Sequence, residues 1–285
     1  MQKEKFIIIS NKKELKLYEE YNFNIFILPL KDYSIGFDVY YDIDEINEIS
    51  NKHEIYVLAN RLLHMDIYKF KELYPKFNKN IKFIIEDIGL TNIIDKDRLV
   101  LWENHILSNY KAINYLDSLG IKNVVINNDL TINELKTIIK ECNTNIFYNY
   151  ISKNMLMYSR IHLVSNFNKY YDIRTDKKDY LLDENVTHKE LLINETEYGS
   201  VVRYNKIFCA SKYIEDLKSF NLIIDFTNID DINEKMILEN YNQSNLCNLI
   251  DSDYYFLENE IKYKVGDLKW VMNYYYLLGI TGDLK

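Results

Sequence analysis

The fold is decided by residues 124–148, which read VVINNDLTINELKTIIKECNTNIFY. The first three of these residues are apolar and β-branched, as in a short buried strand, and the last three form a second apolar run. Between the two runs, Thr131 and Glu134 make the capping-box pattern that starts a helix, which continues through Ile139. Strands joined by an intervening helix pair in parallel, with a right-handed crossover.

The same alternation of apolar runs and helical periodicity recurs along the chain. Strands are predicted at 6–9, 25–28, 54–59, 81–85, 99–102 and 222–226, and helices at 12–21, 42–49, 67–77, 110–119, 214–220 and around 236–238. Gly120 follows one helix directly, where a left-handed residue commonly ends it. This many repeats predict an α/β protein with a parallel, TIM-barrel-like (β/α) core. An open doubly wound sheet is the alternative.

The pattern changes in residues 166–207, where apolar and polar residues alternate between turn signals such as Glu197-Tyr-Gly199. Such alternation predicts an antiparallel β insertion within the barrel. We therefore expect one barrel-like domain over residues 1–240. A tyrosine-rich extension over residues 241–285 follows it, with no assigned structure.

The composition is that of an ordinary globular protein, with 47% hydrophobic and 27% charged residues in 285. Acidic residues outnumber basic ones by 43 to 35, and the net charge of −8 disfavours non-specific attraction to phosphate backbones and anionic lipid. No segment approaches the roughly 20 apolar residues that cross a bilayer, and the apolar run at 6–9 is too short for a signal peptide. These features predict a cytoplasmic protein without a membrane partner.

The three cysteines are Cys142, Cys209 and Cys247, which are far apart and form no Cys-x-x-Cys pair. Their number and spacing predict neither a disulfide framework nor a zinc ribbon, and fit a reducing cytosol. No metal site and no cofactor is predicted.

Candidate site residues lie where predicted strands end, because the loops after parallel barrel strands converge on one mouth. Four groups qualify: Asn60, Arg61 and His64; Glu86 and Asp87; Asn104, His105 and Asn109; and Tyr158, Ser159 and Arg160. Carboxylates and histidines can move protons, so Glu86, Asp87 and His105 are catalytic candidates together with Tyr158 and Ser159. The other six residues are candidates for binding.

Each of these residues also has an ordinary structural interpretation. Adjacent carboxylates on a strand point to opposite faces, so only one of Glu86 and Asp87 can face the mouth, and the other is expected to cap a helix or pair with an arginine. Ser159 lacks the Gly-x-Ser-x-Gly elbow of serine hydrolases. Phosphate-binding loops, dinucleotide fingerprints and His-Glu-x-x-His helices are also missing from the sequence.

The order of several segments resembles a known family, the collagenase-like peptidase family U32. The central signature of that family is similar to residues 147–167, FYNYISKNMLMYSRIHLVSNF. Agreement continues at Val57-Leu-Ala-Asn60 with His64, at Glu86-Asp87-Ile-Gly89, at Asn104-His105 with Asn109-Tyr110, and in the layout of residues 180–225. The resemblance covers most of residues 1–240 and implies the same barrel.

The resemblance carries three functional hypotheses. Several U32 members are hydroxylating factors for RNA or quinone precursors and hold an iron–sulfur cluster on four cysteines, whereas this chain has Ile161 and His162 near the position of one of them. The first hypothesis is a cluster-less accessory or divergent component of tRNA uridine hydroxylation, with tRNA and a cysteine-bearing U32 paralogue as partners. The alternatives are a peptidase, which the family name suggests, and a non-catalytic binding or scaffold protein.

Overall fold

A parallel sheet begins at the N-terminus of the computed structural model, which describes residues 4–10, 15–103, 107–183 and 190–258. Its first seven strands pair in chain order, each with the next. They are β1 (Lys5–Ile8), β2 (Ile25–Pro29), β3 (Glu54–Ala59), β4 (Lys82–Ile85), β5 (Leu99–Leu101), β6 (Asn123–Ile126) and β7 (Asn145–Ser152). The predicted parallel β/α order is confirmed over this part of the chain.

Helices connect most of these strands. They are α1 (Leu15–Glu20), α2 (Ile43–Ile49), α3 (Ile67–Leu73), α4 (Tyr110–Ser118) and α5 (Ile132–Glu141), while two short 3₁₀ turns join β4 to β5. The capping box predicted for α5 is present, since the Thr131 hydroxyl accepts from the Glu134 N–H and the Glu134 carboxylate accepts from the Thr131 N–H at 2.8 Å. Gly120 follows α4 with φ of 89°, as the sequence predicts.

An insertion follows β7. It contains a four-stranded antiparallel sheet, ordered β8-β11-β10-β9, and one helix. Its elements are β8 (Met155–Ser159), α6 (Leu163–Tyr170), β9 (Asp179–Asp183), β10 (Glu190–Thr196) and β11 (Gly199–Tyr204). The predicted antiparallel insertion is therefore confirmed, but it begins eleven residues earlier than residue 166 and includes a helix. In α6, Val164 and Asn168 lie four residues apart and are buried, which is a helical spacing.

The barrel closes through a strand that follows the insertion. After β12 (Ile207–Cys209), which pairs antiparallel with β7, the strand β13 (Asn221–Asp225) pairs in parallel with both β1 and β7. Eight parallel strands thus form a closed barrel, and the open doubly wound alternative is excluded. Helix α7 (Asp231–Asn240) and a short strand β14 (Ser252–Asp253), which pairs with β12, complete the described chain.

Side chains alternate between two cores along the barrel strands, as the two-residue period of a strand requires. Phe6, Leu58, Ile84, Val125 and Phe147 belong to the cluster inside the barrel. Their strand neighbours point outward into a larger cluster beneath the helices. Among the described residues, no helix has the length and hydrophobicity to cross a membrane.

Two predictions from the sequence are wrong. Residues 214–220 form turns after a 3₁₀ segment at Ser211–Tyr213, because apolar residues three apart also suit three-residue turns. Cys209 and Cys247 form a disulfide although they are 38 residues apart, since β12 and the 3₁₀ turn Leu246–Asn248 bring them together. Beyond residue 258, the predicted tyrosine-rich extension lies outside the described residues.

Candidate functional site

A polar cavity of about 70 Å³ lies at the carboxyl ends of the barrel strands. A single water needs roughly 10–15 Å³ by the same kind of measure, so the cavity has room for several waters or one small ring. Residues in the carboxyl-terminal halves of six strands, or just after them, contribute to its wall: Asn60, Glu86, Trp102, Asn128, Asn149 and Asp225. This is the end of a parallel barrel at which functional residues collect.

Arg203, on strand β11 of the insertion, covers the cavity. Its side chain is 1% exposed, and its guanidinium donates to the carbonyl of Lys153 at 3.2 Å and to the carbonyl of Gly36. Gly36 has φ of 89°, and a Cβ there would lie 2.7 Å from the Arg203 Nη2. Glycine is therefore required at residue 36 both for its backbone conformation and for the approach of the arginine.

Asn128 Oδ1, Asn149 Oδ1 and Arg203 Nε belong to side chains that line this cavity, and these atoms are buried without a hydrogen-bond partner within the described chain. The Asn128 amide nitrogen, by contrast, donates to the Asn149 carbonyl and to Asn154 Oδ1, both at 3.1 Å. Buried polar atoms in native proteins nearly always bond to protein, water or a ligand, so these two acceptors and one donor are available to water or to a small polar ligand.

Burial controls the charges at the cavity. It raises the pKa of the Asp225 carboxyl, an effect that the positive charge of Arg203 and a hydrogen bond from the Thr227 N–H at 2.9 Å oppose. Burial also lowers the pKa of Arg203, and the carboxylate of Asp225 opposes that shift. Lys153 likewise has a pKa lowered by burial. The cavity thus combines charges of both signs with amides, which suits a ligand that both donates and accepts hydrogen bonds.

Two of the residues predicted from the sequence line this cavity, Asn60 and Glu86. Asn60 is buried and uses its amide in a pair of bonds to the backbone of Ile35, at 2.9 Å to the N–H and 3.1 Å to the carbonyl. It therefore fixes the loop that carries Gly36. Glu86 follows β4 directly and is partly exposed.

Four other predicted residues near these strands have structural contacts outside the cavity. Asp87 accepts from the N–H groups of Gly89 and Leu63, both at 2.9 Å, which is the structural alternative expected for one of the two carboxylates. Arg61 pairs with Asp66 at 3.0 Å and does not contact Asp87. Two further residues complete this group: His64 is exposed on a 3₁₀ turn, and Asn109 caps α4 by accepting from the Ala112 N–H at 3.0 Å.

The last group of predicted residues lies on the insertion and does not line the cavity. Tyr158 donates to the Tyr198 carbonyl at 3.3 Å, Ser159 Oγ accepts from the Ile161 N–H at 3.2 Å, and Arg160 is exposed. The Ser159 hydroxyl has no histidine partner among the described contacts. Asn104 and His105 lie outside the described residues.

Sequence reasoning missed the residues that carry most of the charge and the unsatisfied atoms at the cavity. Asn128 and Asp225 come directly after or at the end of predicted strands, so the rule that selected Asn60 and Glu86 also applies to them. No signal in the sequence indicated Arg203, because this residue lies within a strand of the insertion and not at the end of a barrel strand.

Comparison with known proteins identifies the family of this chain. A sequence profile of peptidase family U32 matches residues 37–231, about two thirds of the chain. The chain belongs to peptidase family U32. A solved structure described as the U32 peptidase Mk0906 is similar to this U32 chain with a TM-score of 0.46 and 10% identity, over 78% of this chain and 92% of that one. No curated protein matches the sequence.

The cysteines of this U32 chain do not fit the four-thiolate iron–sulfur cluster that the family resemblance suggests for some members. Cys142 follows α5, and Cys209 and Cys247 are bonded to each other. None of the three lines the cavity at the barrel mouth. Within the part of the chain that the structure describes, no three His, Cys, Asp or Glu side chains are grouped as metal ligands.

Proposed function

We propose that this U32 chain holds one uracil base of an RNA in its barrel mouth, as a cluster-less component of tRNA uridine hydroxylation. The observation that carries the proposal is the set of three buried, unsatisfied atoms on Asn128, Asn149 and Arg203. The family supports the choice of RNA, because the resemblance to U32 includes hydroxylating factors for RNA. A tRNA partner places the protein in the cytoplasm.

Uracil complements part of this set of atoms. Its N3–H can donate to the Oδ1 acceptor of Asn128 or Asn149, and one of its two carbonyls can accept from the Arg203 Nε; the second Oδ1 acceptor is left for a donor outside the base edge. The indole of Trp102 lies in the same wall and provides an aromatic surface for a ring. Enzymes that act on a base in folded RNA or duplexes move it out of the stack into such a pocket.

The redox step is assigned to a partner in this proposal. The cysteine-bearing U32 paralogue supplies the cluster that the cysteines here do not fit, and this chain binds and orients the base. The peptidase alternative is less well supported, because the cavity takes a single ring more readily than a polypeptide. The serine that lines the cavity is Ser152. Its hydroxyl donates to Asn154 Oδ1 at 2.5 Å and not to a side chain that could act as a general base.

Calorimetry with uridine monophosphate tests the base site. We expect binding by the wild type and a loss of roughly two- to tenfold in affinity for Asn149→Ala, which removes one unsatisfied acceptor and no described hydrogen bond of its side chain. Asn133→Ala is the matched control, since that asparagine is exposed on α5. No detectable binding of the nucleotide, or equal losses in the two variants, would overturn the proposal.

The cellular role is tested by mass spectrometry of tRNA nucleosides from a strain that lacks this protein. We expect loss of a hydroxylated uridine, restored by the wild type and less efficiently by Asn149→Ala. Unchanged nucleosides, together with a peptidase activity that one substitution abolishes, would establish the alternative instead.

A further inference from the structure

The outer face of helix α6 and the loop after it carry a group of exposed aromatic rings. Phe167 is 56% exposed, Tyr170 81% and Tyr171 60%, and Ile173 beyond them is 45% exposed. We call Phe167, Tyr170 and Tyr171 the aromatic platform. Monomeric proteins seldom expose adjacent large apolar side chains without a binding role.

The platform is organised by the helix itself. Val164 and Asn168 on the inner face of α6 are buried, and Val164 packs against Ile193 and Val202 of the insertion sheet. Phe167 and Tyr171 are therefore directed outward one turn apart, with ring centroids 4.7 Å from each other. Tyr170 lies edge-on to Tyr171 at 4.8 Å.

The segment that carries the platform is rich in basic residues, although the protein as a whole is acidic. Residues 160–178 contain five arginine or lysine residues and two aspartates, whereas the whole chain has a net charge of −8. Lys178 is already paired with Glu195 at 2.9 Å. Arg160, Lys169 and Arg174 are exposed and make no ion pair with another residue of the described chain.

We infer that the aromatic platform binds single-stranded RNA by stacking bases on its rings while Arg160, Lys169 and Arg174 contact the phosphates. Proteins that bind single strands without sequence preference combine these two elements. Protein interfaces are also enriched in tyrosine, phenylalanine and arginine, but their cores are depleted in charged residues, whereas this segment carries five basic residues. The choice of RNA over DNA rests on the proposed function. The proposal that this surface stacks nucleic-acid bases rests on its exposed rings and does not depend on that function.

The platform and the cavity contact different nucleotides in this arrangement. On strand β11, Val202 packs against α6 whereas its neighbour Arg203 faces the barrel mouth, so the two sites lie on opposite faces of the insertion sheet. The platform is therefore assigned to nucleotides other than the base in the cavity, and substitutions can remove either site without the other.

Fluorescence anisotropy with a labelled ten-nucleotide single-stranded RNA of mixed sequence tests the inference in the full chain. We expect the double variant Tyr170→Ala/Tyr171→Ala to bind at least about tenfold more weakly than the wild type. Tyr115→Ala is the matched control, because Tyr115 is 65% exposed on α4 and lies outside the basic segment. Circular dichroism verifies that each variant is folded.

Charge substitutions give a second readout. Lys169→Gln/Arg174→Gln is expected to lower the slope of log affinity against log salt by about 0.7 for each phosphate that is no longer bound, while Lys140→Gln on α5 leaves it unchanged. Normal oligomer binding by the tyrosine variant, or no binding by the wild type, would overturn the inference. A tyrosine variant that binds RNA normally but loses self-association in sedimentation would assign the surface to a protein interface.

The two proposals fail separately. If uridine monophosphate does not bind but the oligomer does so through the platform, the uracil site is wrong and the platform stands. If the nucleotide binds and the oligomer does not, the platform is wrong and the uracil site stands.

Discussion

Arg203 is the residue on which the candidate site depends. It brings a positive charge from the insertion into the barrel mouth, where it is 1% exposed and shares the cavity wall with Asp225. Its two described hydrogen bonds go to backbone carbonyls, at Lys153 and Gly36. A charge buried in this way is stabilised only while both the carbonyls and the nearby carboxylate are in place.

We expect Arg203→Met to lower the free energy of unfolding by about 3–5 kcal/mol, because Asp225 would then be buried without a nearby cation. Urea denaturation at neutral pH measures the loss. Adding Asp225→Asn to Arg203→Met is expected to restore part of it, since the second change removes the uncompensated charge. A stability equal to that of the wild type for Arg203→Met would contradict this account.

Among the elements of the insertion, helix α6 is linked to the sheet by one carboxylate. The Glu195 side chain on β10 is 2% exposed and accepts from the Ser165 N–H at 2.8 Å, from the Ser165 hydroxyl and from Lys178 at 2.9 Å. Burial alone would raise the pKa of Glu195, but these hydrogen bonds outweigh it and lower the pKa to about 2. Helix α6 is therefore fixed to the sheet by a charged group.

This shift predicts a dependence of stability on pH. Because the folded-state pKa of about 2 lies below the ordinary value of 4.5, Glu195 stabilises the fold fully above pH 4.5 and progressively less as pH falls toward 2. We expect Glu195→Gln to cost up to about 3 kcal/mol at pH 7 and much less at pH 3.

Denaturant titrations of both proteins at the two pH values measure this difference. His162 Nδ1 lies 3.8 Å from Glu195 and is present in both proteins. The exposed Glu197→Gln is the control. A cost for Glu195→Gln that does not change with pH would show that its charge is unimportant.

At the scale of the whole molecule, the barrel closes only after the chain has completed the insertion. Strand β13 must reach both β1 and β7, and Asn221 aligns with Phe147 across more than seventy residues of sequence. The disulfide between Cys209 and Cys247 joins β12, just before this closing strand, to the segment after α7. Both features reduce the freedom of the C-terminal third of the chain.

Reducing the disulfide is expected to lower the free energy of unfolding by up to about 4 kcal/mol, the chain-entropy value for a loop of 38 residues. Denaturation with and without a phosphine reductant measures the effect. Cys142→Ser should respond to the reductant as the wild type does, and Cys209→Ala/Cys247→Ala should not respond. In a reducing cytosol the pair is expected as two thiols, with the lower of the two stabilities.

The amino-acid pattern alone predicts most of the strand and helix order, the parallel barrel and the presence of an antiparallel insertion. It also placed Asn60 and Glu86 at strand ends that the structure brings to one cavity. These features are local, because strand and helix periods, the capping box at Thr131 and the stop at Gly120 depend on residues within a few positions of each other.

Which polar residues share the cavity, and which cysteines meet, depends on the tertiary structure. Arg203 reaches the barrel mouth because the insertion folds back over it, and Cys209 meets Cys247 because two separate segments pack side by side. Neighbouring residues in sequence do not encode such contacts. They arise when elements that are far apart in the sequence pack together, and such contacts produce no periodic pattern of residue types.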